Sequence, residues 1–445
     1  MRAEFTASTS DSLETDSEAA PYLRGVEVWN GSAWRAATEQ DGVWSAPCRP
    51  QCRVQYRFAL EEAARDLDSV DSAMTAGGLV IAPPSSWLLR PSASGSQGDY
   101  RFHVRTEAGG GFAFATGIAP APDGAPGTFE APLSGIAGAS FAAFGPLHFE
   151  TIQSGHSRVD VAIAPQGIAL AERDVAAWIS AGVTNVAAYY GRLPVRRTLV
   201  IVIPDKDNDI EGETMGDGGP AIVVRAARNM TLARVHDDWV VTHELLHVTM
   251  PSLARTHSWL SEGIVTYVEP IVRARAGLVT AEQFWSDLVK GAPKGLPQAG
   301  DQGLERTHTW GRTYWGGALF CLVADIRIRQ ETHGARSLDD ALRSIALAGG
   351  NVEDHWPIER FLAAGDRATG TAVLAGLYRE MGLAPGAVDL ATLWARLGIR
   401  IEASGVVLDD GAPLAFLRRA ITSPNANIDA QRPKSDPPGP RTRDR

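Results

Sequence analysis

The sequence predicts an α+β multidomain protein in which a β-sandwich, a mixed α/β domain and an α-helical domain follow one another. Three observations predict this order. Residues 23–155 contain short alternating apolar and polar runs between Gly and Pro, residues 156–278 mix helical periodicity with continuous apolar runs, and residues 279–423 are helical in pattern. The chain has 445 residues and 44% hydrophobic content, which is enough for a sizeable core in more than one domain.

Both ends of the chain, residues 1–22 and 424–445, are predicted to be disordered because they are rich in Ser, Asp, Pro or Arg. The first segment lacks the apolar stretch of a secretory signal. We therefore expect a cytoplasmic protein, or an exported one if a leader has been removed. No run approaches the roughly eighteen apolar residues of a membrane-spanning helix. The net charge of −10 argues against a nucleic-acid partner, because phosphate binding needs a basic face.

The predicted sandwich is carried by apolar and polar residues that alternate at 26–29, 54–58, 100–104 and 112–114. Such short runs between turns are typical of antiparallel strands. The Pro- and Gly-rich stretch 118–132 is predicted to be a long surface loop. Cys48 and Cys52 lie between two strand-like runs, and a short-loop disulfide and two free thiols both fit their spacing.

The middle domain begins with a predicted helix at 172–190, a buried strand at 199–203 and a second strand at 221–224. Gly216, Asp217, Gly218 and Gly219 precede the second strand. Backbone with few side chains can pair with an extended peptide, so these four are candidate substrate-binding residues, with the peptide lying along 221–224. A flexible turn before the strand fits the same pattern equally well.

The run His-Glu-Leu-Leu-His at 243–247 predicts a zinc site. Residues four apart lie on one face of a helix, so the imidazoles of His243 and His247 can converge on one tetrahedral metal ion. Glu244 lies one position round the helix and can take a proton from a water that the metal has activated. The surrounding residues are apolar nearly all round, which predicts a buried helix whose polar side chains need partners.

A second helix is predicted to return to this site. Pro251 ends the first helix, and a helix that begins near Ser258 carries Glu262 back toward the two histidines. Gly263 would allow two helices to approach closely. Beyond residue 279, helices are predicted at 314–330, 338–348, 358–364, 371–381, 390–397 and 413–420.

Two motifs together resemble a known family. His-Glu-Leu-Leu-His at 243–247, followed by Trp-Leu-Ser-Glu-Gly at 259–263 and Tyr-Val-Glu at 267–269, resembles the core of the gluzincin metallopeptidases. Thr-Tyr-Trp-Gly-Gly-Ala-Leu at 313–319 is similar to the glycyl aminopeptidase branch and, more distantly, to aminopeptidase N. The resemblance covers the middle and C-terminal parts of the chain.

The resemblance implies a thermolysin-like (zincin) catalytic domain and a peptide or protein substrate. It implies one zinc ion held by His243, His247 and Glu262, with Glu244 as the general base. Tyr314 would donate its phenolic proton to the oxyanion of the tetrahedral intermediate, as a neutral donor aimed at developing charge.

Two departures from the family pattern bear on the type of peptidase. The 14 residues between His247 and Glu262 are fewer than the family usually has, which predicts a more open cleft on that side. The exopeptidase sequence Gly-Ala-Met-Glu-Asn, whose Glu binds the substrate amine, has no copy, so aminopeptidase activity is not specified. Two other functions fit the same residues: a zinc hydrolase of a non-peptide substrate, and a non-catalytic binding or scaffold protein stabilised by zinc. The oligomeric state is not specified by the sequence.

Overall fold

The computed structural model describes residues 2–5, 12–45, 52–92, 98–105, 111–402 and 405–423. The predictions for residues 424–445 and for the thiols of Cys48 and Cys52 lie outside the described residues. Cys321 is buried and free.

The N-terminal part consists of β-strands in three antiparallel sheets. The strand orders are β13-β11-β1-β7-β3-β4, β10-β2-β6-β5 and β12-β14-β9-β8. The strands are β1 (Arg2–Phe5), β2 (Ser12–Glu14), β3 (Leu23–Trp29), β4 (Trp34–Ala36), β5 (Thr38–Gln40), β6 (Val43–Ser45), β7 (Cys52–Phe58), β8 (Met74–Ala76), β9 (Leu79–Ile81), β10 (Arg90–Pro91), β11 (Asp99–His103), β12 (Ala113–Thr116), β13 (Thr128–Pro132) and β14 (Ala142–Gly145), with two short helices, α1 (Leu60–Leu67) and α2 (Pro84–Trp87).

Two segments of this part differ from the prediction. Residues 1–22, expected to be disordered, contribute β1 and β2, and Leu13 of β2 is fully buried. The expected loop at 118–132 contains β13, which pairs with β11. In both cases the pairing partner lies far away in the sequence, so the local composition did not reveal the strand.

The middle part is a mixed sheet of order β15-β16-β17-β19-β18, covered on one face by helices. Strands β16, β17 and β19 are parallel, and the edge strands β15 and β18 are antiparallel to their neighbours. Its elements are β15 (His148–Ser154), β16 (Ser157–Ile163), β17 (Arg197–Pro204), β18 (Glu211–Met215), β19 (Ala221–Ala226), α3 (Glu172–Tyr190), α4 (Leu232–Asp237), α5 (Val240–His247) and α6 (Ser258–Arg275).

The C-terminal part is helical, as predicted. Its helices are α7 (Ala281–Gly291), α8 (Gly317–Glu331), α9 (Leu338–Leu347), α10 (Ile358–Thr369), α11 (Val373–Leu377), α12 (Leu390–Leu397) and α13 (Ala415–Thr422). A hairpin of β20 (Ile399–Glu402) and β21 (Gly405–Leu408) lies between α12 and α13. Two π-helical segments, Arg312–Gly316 and Tyr378–Gly382, and short 3₁₀ turns at Ala20–Tyr22, Leu133–Gly135, Arg255–His257 and Ala292–Gly295 complete the described elements.

The two faces of the mixed sheet are buried against different parts of the chain. Val200 and Val224 face a core that continues through α5, α6 and the C-terminal helices. Leu199 and Val223 face Phe141 and other apolar residues of the N-terminal part. The predicted boundary at 155/156 therefore falls in the turn between β15 and β16, and the one at 278/279 divides residues that share one core.

Within the described residues, no helix is long and apolar enough to cross a membrane.

Candidate metal and catalytic site

Helix α5 carries His243, Glu244 and His247, as predicted. The carboxylate of Asp238 accepts the backbone N–H groups of Val240 and Val241, which satisfies two of the donors that a helix N-terminus leaves free. His243 and Glu244 are buried, and the rings of His243 and His247 lie 5.1 Å apart on one face. The local sequence thus presents both imidazoles from one largely buried helix.

Helix α6 brings Glu262 to these imidazoles. Its Oε2 lies 3.5 Å from Nε2 of His243 and 3.6 Å from Nε2 of His247. In the described part of the chain, these three residues are the one group of His, Cys, Asp or Glu side chains whose ligand atoms cluster in this way, all within 4.8 Å of one another.

The three side chains fit a zinc ion. Oε2 of Glu262 is buried, and no hydrogen-bond partner for it is found among the described residues. Metal–ligand bonds of about 2.0–2.1 Å in a tetrahedron separate the ligand atoms by about 3.3 Å, close to the two observed distances. Burial alone would raise the pKa of Glu262, but the two imidazoles hold it well below its usual value, so the carboxylate is ionised as a ligand must be.

A close crossing of α6 and α8 explains why Tyr314 lies near this group. A Cβ on Gly263 would lie 2.3 Å from the backbone of Gly317, so the helices meet where neither has a side chain. Glu262 precedes one of these glycines, and the π-helical turn that contains Tyr314 leads into the other. The expected close approach at Gly263 is confirmed.

The phenol of Tyr314 keeps its proton at neutral pH. Its half-buried position and the charges of Glu262 and Glu244 raise the pKa of its phenol above the usual value. It lines the same cavities as Glu244, and its ring lies 5.7 Å from that of Trp310.

Strand β18 supplies contacts to Glu244 that the sequence did not reveal. The hydroxyl of Thr214 lies 2.7 Å from Oε2 and 3.1 Å from the backbone oxygen of Glu244. A Cβ on Gly212 would lie 2.4 Å from Cγ of Glu244, so only glycine leaves room for this carboxylate. The strand is short and lacks buried apolar residues, and therefore it gives no periodic signal.

The structure does not bring Gly216, Asp217, Gly218 and Gly219 to the cleft. A Cβ on Gly216 would lie 2.1 Å from the backbone oxygen of Val352, and one on Gly219 would lie 2.1 Å from that of Gly117. The carboxylate of Asp217 pairs with Nε2 of His355 at 2.6 Å. These small residues are packed at a junction between three parts of the chain, and residues of β18 line the cleft instead.

Two cavities meet at the site. The smaller, of about 440 Å³, extends from Thr214 toward the segment that follows α5. The larger, of about 1160 Å³, extends from Glu211 toward α7 and Trp310. Both are lined by Gly212, His243, Glu244 and Tyr314, so a substrate can occupy space on either side of these residues.

No protein-family model and no curated protein matches the sequence. Among solved structures, the chain is similar to an aminopeptidase N family protein from Idiomarina loihiensis, with a TM-score of 0.64, 14% identity, and coverage of 90% of this chain and 74% of that one. It is also similar to the M1 zinc metallopeptidase from Deinococcus radiodurans, with a TM-score of 0.51, 15% identity and coverage of 87% of each chain. A variant of that peptidase bound to a Tyr-Ser-Ala substrate gives a TM-score of 0.50 at 15% identity, again over 87% of each chain.

At these sequence identities, the comparisons show a similarity of fold alone. The chain has a mixed α/β multidomain fold with a helical C-terminal part, as the M1 zinc metallopeptidases have. The gluzincin resemblance is thereby supported at the level of the fold, and the glycyl aminopeptidase subtype stays a prediction.

Proposed function

We propose that this protein is a zinc-dependent metallopeptidase in which His243, His247 and Glu262 hold one zinc ion within a thermolysin-like catalytic domain. The observation that carries the proposal is the buried Oε2 of Glu262, which faces two imidazole nitrogens and has no hydrogen-bond partner among the described residues. An unsatisfied buried carboxylate oxygen is costly, and a cation at this position would satisfy it.

The zinc ion would supply Lewis acidity, which makes water nucleophilic near neutral pH. Glu244 would accept a proton from the attacking water and deliver it to the leaving amine. The hydrolysis then balances: the carbonyl carbon gains a hydroxyl group, the C–N bond breaks, and the nitrogen gains the proton that Glu244 held.

Tyr314 would stabilise the charge that develops on the carbonyl oxygen. Its raised pKa supports this role, because the phenol keeps its proton across the neutral range. Thr214 would orient Glu244, since its hydroxyl is within hydrogen-bond distance of the carboxylate. Neither residue needs to change its protonation state before the substrate binds.

We propose that an extended peptide pairs with β18. The sequence indicated the strand at 221–224, but that strand, β19, lies between β17 and β18 and has both edges paired. No strand of the described residues pairs with the other edge of β18, next to Glu244. Its unpaired backbone groups are available for β-augmentation.

Aminopeptidase action is a finer form of the same proposal. Glu213 lines the smaller cavity, and burial together with neighbouring Asp71 raises the pKa of Glu213 to about 7. A substrate amine would relieve the repulsion between these two carboxyl groups. The M1 zinc metallopeptidases have a similar fold, and one of them is bound to a Tyr-Ser-Ala substrate. This similarity supports a peptide as the substrate class.

A peptide library tests this function. The full-length protein is incubated with the library in the presence of zinc or of a chelator, and cleavage products are identified by mass spectrometry. We expect cleavage that requires zinc, and lower cleavage of peptides with acetylated amino termini if the protein is an aminopeptidase. Cleavage that persists in chelator would contradict the zinc mechanism. Absence of cleavage with bound zinc would favour a non-peptide substrate or a scaffold role.

A further inference from the structure

The larger cavity beside the proposed zinc site has two exposed tryptophans in its lining. The side chain of Trp239 is 50% exposed and that of Trp310 is 61% exposed. The ring of Trp239 lies 5.3 Å from that of His243, and the ring of Trp310 contacts that of Tyr314. A molecule in this cavity would therefore lie against indole rings that adjoin the reacting centre.

Indole faces attract cations, and this protein already uses them in that way. Nζ of Lys294 lies 5.6 Å from the ring centroid of Trp310 and 5.9 Å from that of Trp315. Tryptophan is the strongest of the aromatic side chains in this interaction. Trp239 and Trp310 are half exposed or more, so a second cation can reach their indole rings.

The carboxyl groups of the cavity also favour a cation. Glu269 is only 7% exposed and lines the wall, where its contact with Arg273 is long, at 3.5 Å. Burial, aided by the charges of Asp238 and Asp287, raises the pKa of Glu269 to about 8 despite Arg273. A bound cation would favour the ionised form of this carboxyl group.

The rim of the cavity adds negative charge. Asp209, Asp237 and Asp287 line it and are exposed. Arg225, which also lines the cavity, is paired with Glu211. The lining as a whole therefore carries more acidic than basic groups.

The direction of β18 assigns this cavity to one side of the scissile bond. Antiparallel pairing is the more stable arrangement per residue, so a peptide added to β18 would run from the Met215 end toward the Glu211 end. Its carboxyl-side residues would then lie at Glu211, where the larger cavity begins.

We propose that the larger cavity binds the substrate side chain on the carboxyl side of the scissile bond and selects a basic one, Lys or Arg. This inference rests on the proposed peptidase function. The indole faces of Trp239 and Trp310 and the carboxyl groups of Glu269 and Asp287 provide the selectivity. Neutral side chains of equal length would gain only the apolar part of the interaction.

The test compares peptides that differ only in the residue after the scissile bond: Lys against norleucine, and Arg against citrulline. With the zinc-loaded full-length protein we expect kcat/KM to be about tenfold higher for each basic residue than for its neutral analogue. The variants Glu269→Gln and Asp287→Asn should each reduce this ratio several-fold. Glu282→Gln, an exposed carboxyl on α7 outside the cavity lining, is the matched control and should leave the ratio unchanged.

A binding measurement separates failure of this inference from failure of the peptidase proposal. Zinc-loaded Glu244→Gln is titrated with the Lys and norleucine peptides, and tryptophan fluorescence is recorded. Equal affinities for the Lys and norleucine peptides, or equal rates of their hydrolysis by the wild-type protein, would contradict a subsite for basic side chains even if the protein is a peptidase. Preferential binding of the Lys peptide without any wild-type hydrolysis would uphold the subsite and reject the peptidase. If Asp287→Asn and Glu269→Gln both leave the ratio unchanged, the carboxyl groups are not its source and the proposal is wrong.

Discussion

The carboxylates of Glu262 and Asp339 differ in how completely the protein pairs them. Asp339 on α9 is 2% exposed; its Oδ1 accepts the hydroxyl of Tyr189 at 2.6 Å, and its Oδ2 accepts Nη1 of Arg275 at 2.8 Å. Although burial would raise its pKa, Arg275 and Arg343 hold the pKa of Asp339 below the usual value. The side chain of Glu262 is 24% exposed, but its Oε2 is shielded from solvent and lies 3.5 and 3.6 Å from the two imidazole nitrogens, longer than an ordinary hydrogen bond.

Completeness of pairing distinguishes a structural carboxylate from a candidate metal ligand. Asp339 joins α3, α6 and α9 through protein groups alone, so its network contributes to folding. Glu262 lies near the other end of α6, and its Oε2 has no hydrogen-bond partner among the described residues. We therefore expect substitutions of Asp339 to alter stability, and substitutions of Glu262 to alter zinc binding and catalysis.

Loss of the proposed base should have the largest effect on catalysis. Glu244→Gln keeps the shape of the side chain and removes its ability to accept a proton, so kcat should fall by about 10²–10⁴-fold. Zinc content and the free energy of unfolding should stay near the wild-type values. Steady-state kinetics, metal analysis and denaturant unfolding measure these quantities. Unchanged turnover would rule out Glu244 as the base.

Removal of the fully paired carboxylate of Asp339 should lower stability and leave zinc binding unchanged. Asp339→Ala leaves the buried guanidinium of Arg275 without its ion pair and should lower the free energy of unfolding by about 3–5 kcal/mol. At low temperature the folded fraction should still bind zinc with the wild-type affinity. Urea unfolding followed by circular dichroism checks the change, with exposed Glu282→Gln as a control. A variant that is as stable as the wild-type protein but binds no zinc would contradict the distinction between Asp339 and Glu262.

Tyr314→Phe tests the oxyanion donor. The substitution removes one hydroxyl that is positioned by the turn Arg312–Gly316, and kcat should fall by about 10²–10³-fold, which corresponds to about 3–4 kcal/mol. KM should change little, because the hydroxyl acts on charge that develops in the transition state. A rise in KM at constant kcat would instead indicate a role in substrate binding.

Zinc should stabilise the wild-type protein through Glu262. At a free zinc concentration one hundred times the Kd, the free energy of unfolding should rise by about 2.7 kcal/mol. In Glu262→Ala this gain should disappear at the same zinc concentration. Thermal unfolding with and without a chelator measures the difference, and an equal shift in both proteins would show that the ion binds elsewhere.

The smallest effect is expected at Thr214, which touches the base without taking part in the proton transfer. Thr214→Val removes a hydrogen bond to a charged group and should lower kcat/KM about tenfold, or about 1.5 kcal/mol. Thr214→Ser keeps the hydroxyl and should restore the activity. If both variants are equally impaired, packing rather than the hydrogen bond is responsible.

The local features of this site could be predicted from the amino-acid sequence alone. Helical spacing predicted that His243 and His247 share one face of a helix, and Gly263 indicated the close helix crossing near Glu262. The helices of the C-terminal part were predicted for the same reason, because their periodicity lies within each segment.

Which strand borders the site depends on the pairing of distant segments in the folded chain. In the sheet, β19 lies between β17 and β18. The edge strand β18 therefore precedes the interior strand β19 in the sequence. No local pattern specifies which strand becomes an edge, since that depends on pairing with distant segments. For this reason Gly212 and Thr214 line the cleft instead of Gly216–Gly219. Trp239 and Glu269, which are thirty residues apart in the sequence, line one cavity.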